Sequence, residues 1–212
     1  MNSSKPPRWQ RRSEDRPREI CAAAFDVFAE KGFAAARLDE IAKRAGVSKG
    51  TLYLYFKDKE ELFRAVVRDT IAPNLDMLRM AMEQQSIPFA QIVRMLLPTF
   101  AAMTMKIRVG AVAKMVIGES RNFPELAKVW HDEVVTKALS MLSGLIERAQ
   151  DRGEVKPGEP RLHAISLMGA MLMGVLWRET LEPVGGAPLD LEALARQHAE
   201  NILAGLLTKD AR

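Results

Sequence analysis

The sequence predicts an all-α fold, and three observations carry that prediction. Apolar residues recur at three- and four-residue spacing through most of the chain, and no stretch sustains the alternation with β-branched residues that a strand requires. Prolines at 17, 88, 124, 160 and 188 stand where helices would start, and glycines at 32, 46 and 153 where they would stop. Hydrophobic residues make up 48% of the 212 residues, enough for a sizeable core and too many for a chain disordered by composition.

Residues 1–16 are polar and basic, contain Pro6 and Pro7, and read as a flexible arm. The first helix is expected over 17–31, with Pro17 at its first position, Gly32 at its stop, and Ile20, Ala24, Val27 and Phe28 as its apolar stripe. Short helices follow over 38–45, ended by Gly46, and 48–56, with Ser48 at the N-cap. Asp58 opens a fourth helix with Glu61 three residues on as its capping-box partner, and Pro73 inside it predicts a kink or break. The remainder is more apolar and methionine-rich, with helices expected over 88–106, 108–118, 124–152, 161–181 and 189–208 and a short tail over 209–212. The expected organisation is an arm over 1–16, a small three-helix domain over 17–62 and a larger helical domain over 63–208.

Charge is unevenly spread. Residues 1–57 hold 12 Lys and Arg against 7 Asp and Glu, a surplus of five, whereas residues 58–212 hold 19 against 20. The basic first quarter points to a polyanionic partner. Cys21 is the only cysteine, which excludes an intrachain disulfide and a thiolate metal cluster within one chain. The N-terminal residues have no apolar signal-peptide core, and the longest apolar run, 164–177, is too short to cross a bilayer, so a cytoplasmic location without membrane contact is expected. There is no phosphate-binding glycine loop, no nucleophile elbow and no zinc spacing around His131, His163 or His198, so neither a catalytic site, a metal nor a cofactor is expected.

Residues 38–56 have the spacing of a helix-turn-helix. Ala42 is small where two steeply crossing helices meet, and Gly46, four residues on, supplies a left-handed turn at little cost. Leu52 and Phe56 return apolar side chains to the core beside Ile41 and Val47. The opposite face of the second helix carries Gly50, Thr51, Tyr53 and Leu54, flanked by Lys49 and Tyr55. An outward leucine suits a thymine methyl in a major groove, Gly50 admits close backbone approach, and Ser48, Lys49, Thr51, Tyr53, Tyr55 and Lys59 offer donors to phosphate oxygens.

The stretch GFAAARLDEIAKRAGVSKGTLYLYFKDKEELFRAVV, residues 32–67, resembles the DNA-binding domain of the TetR family of transcriptional regulators. The resemblance covers residues 17–67 and is most specific in IAKRAGVSKGTLYLYF followed by KDKEELF. It implies an all-α homodimeric repressor with nine or ten helices per subunit, a double-stranded DNA operator, and a C-terminal domain that binds a small-molecule effector. By position it implies that Lys49, Gly50, Thr51, Tyr53 and Tyr55 face DNA and that Lys59 touches phosphate. Where the family often has Ser or Thr before the second helix, this chain has Ala35-Ala36-Arg37; Arg37 can supply charge to phosphate but cannot cap the helix as a hydroxyl does.

In the larger domain, Ser166, Ala170 and Gly174 form a small-residue stripe, and Leu194, His198 and Ile202 share a face of the last helix; together they are expected to form a dimer interface. Met103, Met115, Trp130, Met168 and Trp177 are the expected lining of an adaptable apolar ligand pocket, with Arg108, Glu119, Arg121 and His131 as candidate polar groups. The expected function is a ligand-responsive repressor. The alternatives are a helical ligand-binding or enzymatic protein whose N-terminal helices are only structural, and a regulator that activates or needs no ligand.

Overall fold

The computed structural model describes residues 8–71 and 87–211. Ten α-helices run in order among them: α1 Arg8–Ala35, α2 Leu38–Arg44, α3 Lys49–Tyr55, α4 Lys59–Val66, α5 Phe89–Ile107, α6 Val109–Glu119, α7 Pro124–Trp130, α8 Thr136–Asp151, α9 Pro160–Leu176 and α10 Leu191–Leu206. Three single π turns, Val67–Ile71, His131–Val135 and Trp177–Leu181, extend α4, join α7 to α8 and extend α9. The expected helix over 124–152 is thus one run widened in its middle. Pro73, expected to kink the fourth helix, lies outside the described residues.

The first helix begins nine residues earlier than its proline suggests. Residues 8–16 hold four Arg with one Gln and one Glu, all good helix formers, and they are helical rather than a loose arm. Pro17 lies inside the helix, where it removes one i→i−4 hydrogen bond and tolerates the rest. At the other end Gly32 stops the regular helix as expected: its φ of 79° and ψ of 171° break the spiral, and a further turn restarts at Phe33.

Two apolar cores organise the chain. The first collects Ile20, Ala24, Val27 and Phe28 of α1, Ile41 and Ala42 of α2, Leu52 of α3, and Leu62, Phe63 and Val66 of α4. It does not end at residue 62. It takes in Ile71, and it borrows Val112, Met115 and Val116 from α6 and Leu126 and Val129 from α7. Phe33 is fully buried at its centre, stacked on Phe28 at 5.5 Å and edge-on to Phe63 at 5.9 Å and Phe123 at 5.1 Å. Cys21 is buried in the same core, and desolvation pushes its thiol pKa up to about 12.

The second core joins α5, α8, α9 and α10 through Leu96, Leu97, Leu145, Ile146, Leu167, Met171 and Leu203. By length and composition the run Pro160–Val184 is apolar enough to cross a membrane, which the expectation from residues 164–177 did not allow for. Its inward row, Ala164, Leu167, Met171 and Val175, is buried in the second core. The chain end is tied back by Lys156 N–H to the Leu206 carbonyl at 2.9 Å and Thr208 N–H to the Glu154 carbonyl at 3.0 Å, with Ala211 packed on the core.

Candidate nucleic-acid interface and ligand cavity

The helix-turn-helix is built by local chemistry. Gly46 adopts φ +67°, and Val47 N–H reaches the Ala42 carbonyl at 2.9 Å, which satisfies the end of α2 across the turn. Ser48 caps α3: its Oγ accepts from Thr51 N–H at 3.0 Å and lies 2.8 Å from the Thr51 hydroxyl. Asp58 caps α4 by accepting from Glu61 N–H at 2.7 Å, while Glu61 reaches back to Lys57 N–H at 2.9 Å, one residue beyond the cap. Arg37 occupies the N-cap of α2 in an extended conformation and makes no side-chain cap.

Leu52 and Phe56 anchor α3 inward, and the opposite face is presented outward. Leu54 is 83% exposed and Tyr53 45%. A Cβ built on Gly50 would meet nothing closer than Ser48 Oγ at 3.8 Å, so no packing among the described residues requires glycine there. Tyr55 is half-buried, its ring 6.5 Å from that of Phe56. Lys49 pairs with Asp39 at 2.7 Å, which raises the lysine pKa and lowers that of the carboxylate through their hydrogen bond. Both groups are exposed, so a phosphate oxygen can compete with Asp39.

Lys59, expected at a phosphate, is turned inward. Its ammonium donates to the carbonyls of Phe33 at 2.6 Å, Ala36 at 3.0 Å and Ala34 at 3.3 Å, and sits 4.5 Å from the centre of the Phe33 ring. Burial lowers its pKa. The three carbonyls occupy all three donors, leaving none for DNA. On the other side of the same connection, Glu119 of α6 accepts from Phe33 N–H at 2.8 Å and Ala34 N–H at 2.7 Å. These amides begin the new turn after Gly32 and have no carbonyl one turn earlier to donate to. Around this joint Arg44 holds Glu30 through two hydrogen bonds of 2.8 Å, and Lys31 holds Glu40 at 2.8 Å, pinning α2 to α1.

A cavity of about 450 Å3 lies between the two cores. Met103, Trp130 and Met168 line it, with Phe100, Val109, Gly110, Ala113, Ile117, Val134, Leu139, Ile165 and Leu172. Among the described residues Thr104 is its one hydroxyl, already donating to the Ala101 carbonyl at 2.8 Å. Two expected lining residues are elsewhere. Met115 faces the other side of α6 and is buried in the first core, and Trp177 turns away to donate its indole N–H to the Ala187 carbonyl at 2.9 Å. Neither Arg108, Glu119, Arg121 nor His131 lines the cavity: Glu119 serves the α1 joint and His131 pairs with Asp132 at 2.9 Å.

The small-residue stripe also divides. Gly174 is buried within the chain, where a Cβ would come within 2.6 Å of Leu191 Cδ1 and 2.8 Å of Leu194 Cδ2. Ser166 is exposed and Ala170 half-buried. His198 is half-buried, with Nε2 3.1 Å from the Leu167 carbonyl, and Leu194 and Ile202 pack against the second core. The outward apolar residues of α9 that do not line the cavity are Leu162 and Met173, 61% and 60% exposed; Ile165, Gly169 and Leu172 are exposed too but belong to the cavity wall.

A tight helical pair with an outward apolar and aromatic face, set on a helical body that encloses a cavity, defines a helix-turn-helix regulator. Comparison with known proteins agrees. Residues 20–66 match the family model of bacterial regulatory proteins of the tetR family, and residues 93–192 match that of the tetracyclin repressor-like C-terminal domain. The HTH-type transcriptional regulator YhgD of Bacillus subtilis is 30% identical over 187 residues, spanning 86% of this chain and 92% of that protein. The crystal structure of a TetR-family regulator from Mesorhizobium loti superposes with a TM-score of 0.77 at 27% identity, covering 93% and 99% of the two chains. FadR from Bacillus subtilis in complex with stearoyl-CoA shares the fold, with a TM-score of 0.75 at 24% identity over 89% and 98%. The chain belongs to the TetR family and is a DNA-binding transcriptional regulator.

Lys59→Met tests the inward lysine. Loss of a charged donor to three backbone carbonyls should cost about 1–3 kcal/mol, read as a lower melting temperature. The slope of log affinity for DNA against log salt should stay at its wild-type value; a slope smaller by about one would return Lys59 to the phosphate contacts.

Proposed function

We propose that the protein is a cytoplasmic homodimeric repressor that holds a palindromic operator and releases it when an uncharged apolar molecule occupies the cavity. The observation that carries the reading is the outward face of α3. Leu54 stands almost fully in solvent beside Tyr53 and Gly50, an arrangement that contributes nothing to either core and suits base edges in a major groove. Arg37, Ser48, Lys49, Thr51 and Tyr55 surround it as candidate phosphate contacts. Leu162 and Met173, apolar, exposed and outside the cavity wall, support pairing of two copies through α9 and the neighbouring α10. Such a pair would place two copies of α3 in successive major grooves.

The effector class follows from the cavity. Among the described residues none of the lining side chains is charged and the one hydroxyl is already donating, which favours an occupant held by apolar contact. Release then requires that the occupant prefer the conformation that does not bind DNA.

Selection of bound sites from a random duplex pool, at fixed near-physiological salt, tests the reading directly. The expected result is one palindrome with half-site centres about one helical turn, roughly 34–36 Å, apart; recovery of no consensus by folded protein contradicts it. On that operator Tyr53→Ala should reduce affinity by at least about tenfold, as expected for a base- or phosphate-contacting aromatic, with the dimer mass unchanged. Wild-type affinity would sink the assignment of α3 as the reading helix. For the cavity, 1-dodecanol should raise the melting temperature and release operator, whereas dodecyltrimethylammonium should do neither below its micelle-forming concentration; equal responses would contradict an uncharged effector.

A further inference from the structure

Helix α6 belongs to both halves of the molecule. Val109, Gly110, Ala113 and Ile117 form one wall of the cavity. Two residues beyond Ile117, the Glu119 carboxylate grips Phe33 N–H and Ala34 N–H, and four residues further on, Phe123 lies edge-on to Phe33. The gripped amides lie in the short connection that leads from Gly32 into α2 and α3. That connection is closely fitted: a Cβ on Gly32 would stand 2.5 Å from Glu119 Oε1, and its φ of +79° disfavours any side chain.

We propose that Glu119 is the positioning residue that transmits occupancy of the cavity to the reading helices, by tying the end of α6 to the connection between α1 and α2. This rests on the reading of the cavity as the effector site and of α3 as the DNA contact. The tie is directional. One carboxylate accepts from two adjacent amides, so a shift of α6 along or about its axis must either drag Phe33 and Ala34 or break both bonds. Lys59 holds the carbonyls of the same residues from the side of α4, so movement of the connection passes to α2 through Ala36 and Arg37. A glutamine at 119 keeps the shape but offers one acceptor and turns an NH2 toward the second amide, so the paired grip is lost.

The test uses the full chain and needs no identified ligand, because a bulkier residue at Ala113 projects into the cavity in place of one. Four proteins are compared: wild type, Ala113→Trp, Glu119→Gln and the double variant. Ala113→Leu substitutes throughout if the tryptophan variant does not fold. Two quantities are read: hydrogen exchange at the Phe33 and Ala34 amides, and affinity for the selected operator. Glu119→Gln should speed exchange at both amides by about tenfold or more, since each loses part of a charge-assisted bond. Ala113→Trp should weaken operator binding by about tenfold in the wild-type background and by less than about twofold in Glu119→Gln, the non-additivity expected of coupled sites. Unchanged exchange in Glu119→Gln, no effect of Ala113→Trp, or an equal effect in both backgrounds overturns the proposal. Absence of operator binding by all four proteins instead overturns the DNA-binding reading, and exchange at Phe33 and Ala34, compared with and without Ala113→Trp, still judges the tie.

Discussion

The arrangement depends on how five residues of backbone, Phe33 to Arg37, are held. They follow a helix broken at Gly32, so the amides of Phe33 and Ala34 lose the carbonyls of the preceding turn, although Ala36 N–H still reaches the Phe33 carbonyl at 3.3 Å and the Arg37 carbonyl accepts from Glu40 and Ile41 N–H; a polar group left unpaired costs about 1–3 kcal/mol when buried. Two side chains supply the partners. Glu119 takes the amides of Phe33 and Ala34, and Lys59 takes the carbonyls of Phe33, Ala34 and Ala36. The Phe33 side chain meanwhile fills the centre of the first core against Phe28, Phe63 and Phe123. Backbone and side chain of the connection are thus anchored to α1, α4 and α6 at once, and α2 and α3 inherit their position from it.

This anchoring makes the boundary between the DNA-reading unit and the regulatory body a shared surface. Val112, Met115 and Val116 of α6 complete the core under α1, while other residues of the same helix, among them Ala113 and Ile117, face the cavity. The helix has one face for each task. Two of the three π turns border the cavity as well, through Ile71 at the end of α4 and through Val134 and Val135. A π turn widens the helix and sacrifices regular hydrogen bonding, so these are the places in the wall where a helix adjusts most easily.

The helix-turn-helix was legible because everything that builds it lies within about twenty residues. The crossing at Ala42, the turn at Gly46, the cap at Ser48 and the return of Leu52 and Phe56 are set by local spacing, and each is found in the structure. The role of Lys59 was not legible: in sequence it is one more lysine beside a basic helix, and its carbonyl partners lie 23 to 26 residues away. Glu119 was further out of reach, 86 residues from Phe33, and nothing in its local sequence distinguishes a backbone clamp from a surface carboxylate. The cavity was half legible. Met103, Trp130 and Met168 line it while Met115 does not, because periodicity marks a residue as inward without telling which of two interiors it enters. For the same reason Gly174 read as a point of contact between chains when it serves contact between α9 and α10 of one chain.

The central claim is that the clamped connection sets where the reading helices stand. Its most direct test is the distance between the two copies of α2 in the proposed dimer, measured by pulsed electron spin resonance on a nitroxide at Lys43→Cys. Lys43 is exposed on α2, and the buried thiol of Cys21 stays unlabelled. The account predicts a narrow distance distribution for the DNA-free protein that broadens in Glu119→Gln while the dimer remains intact. An identical distribution in the two proteins would contradict it.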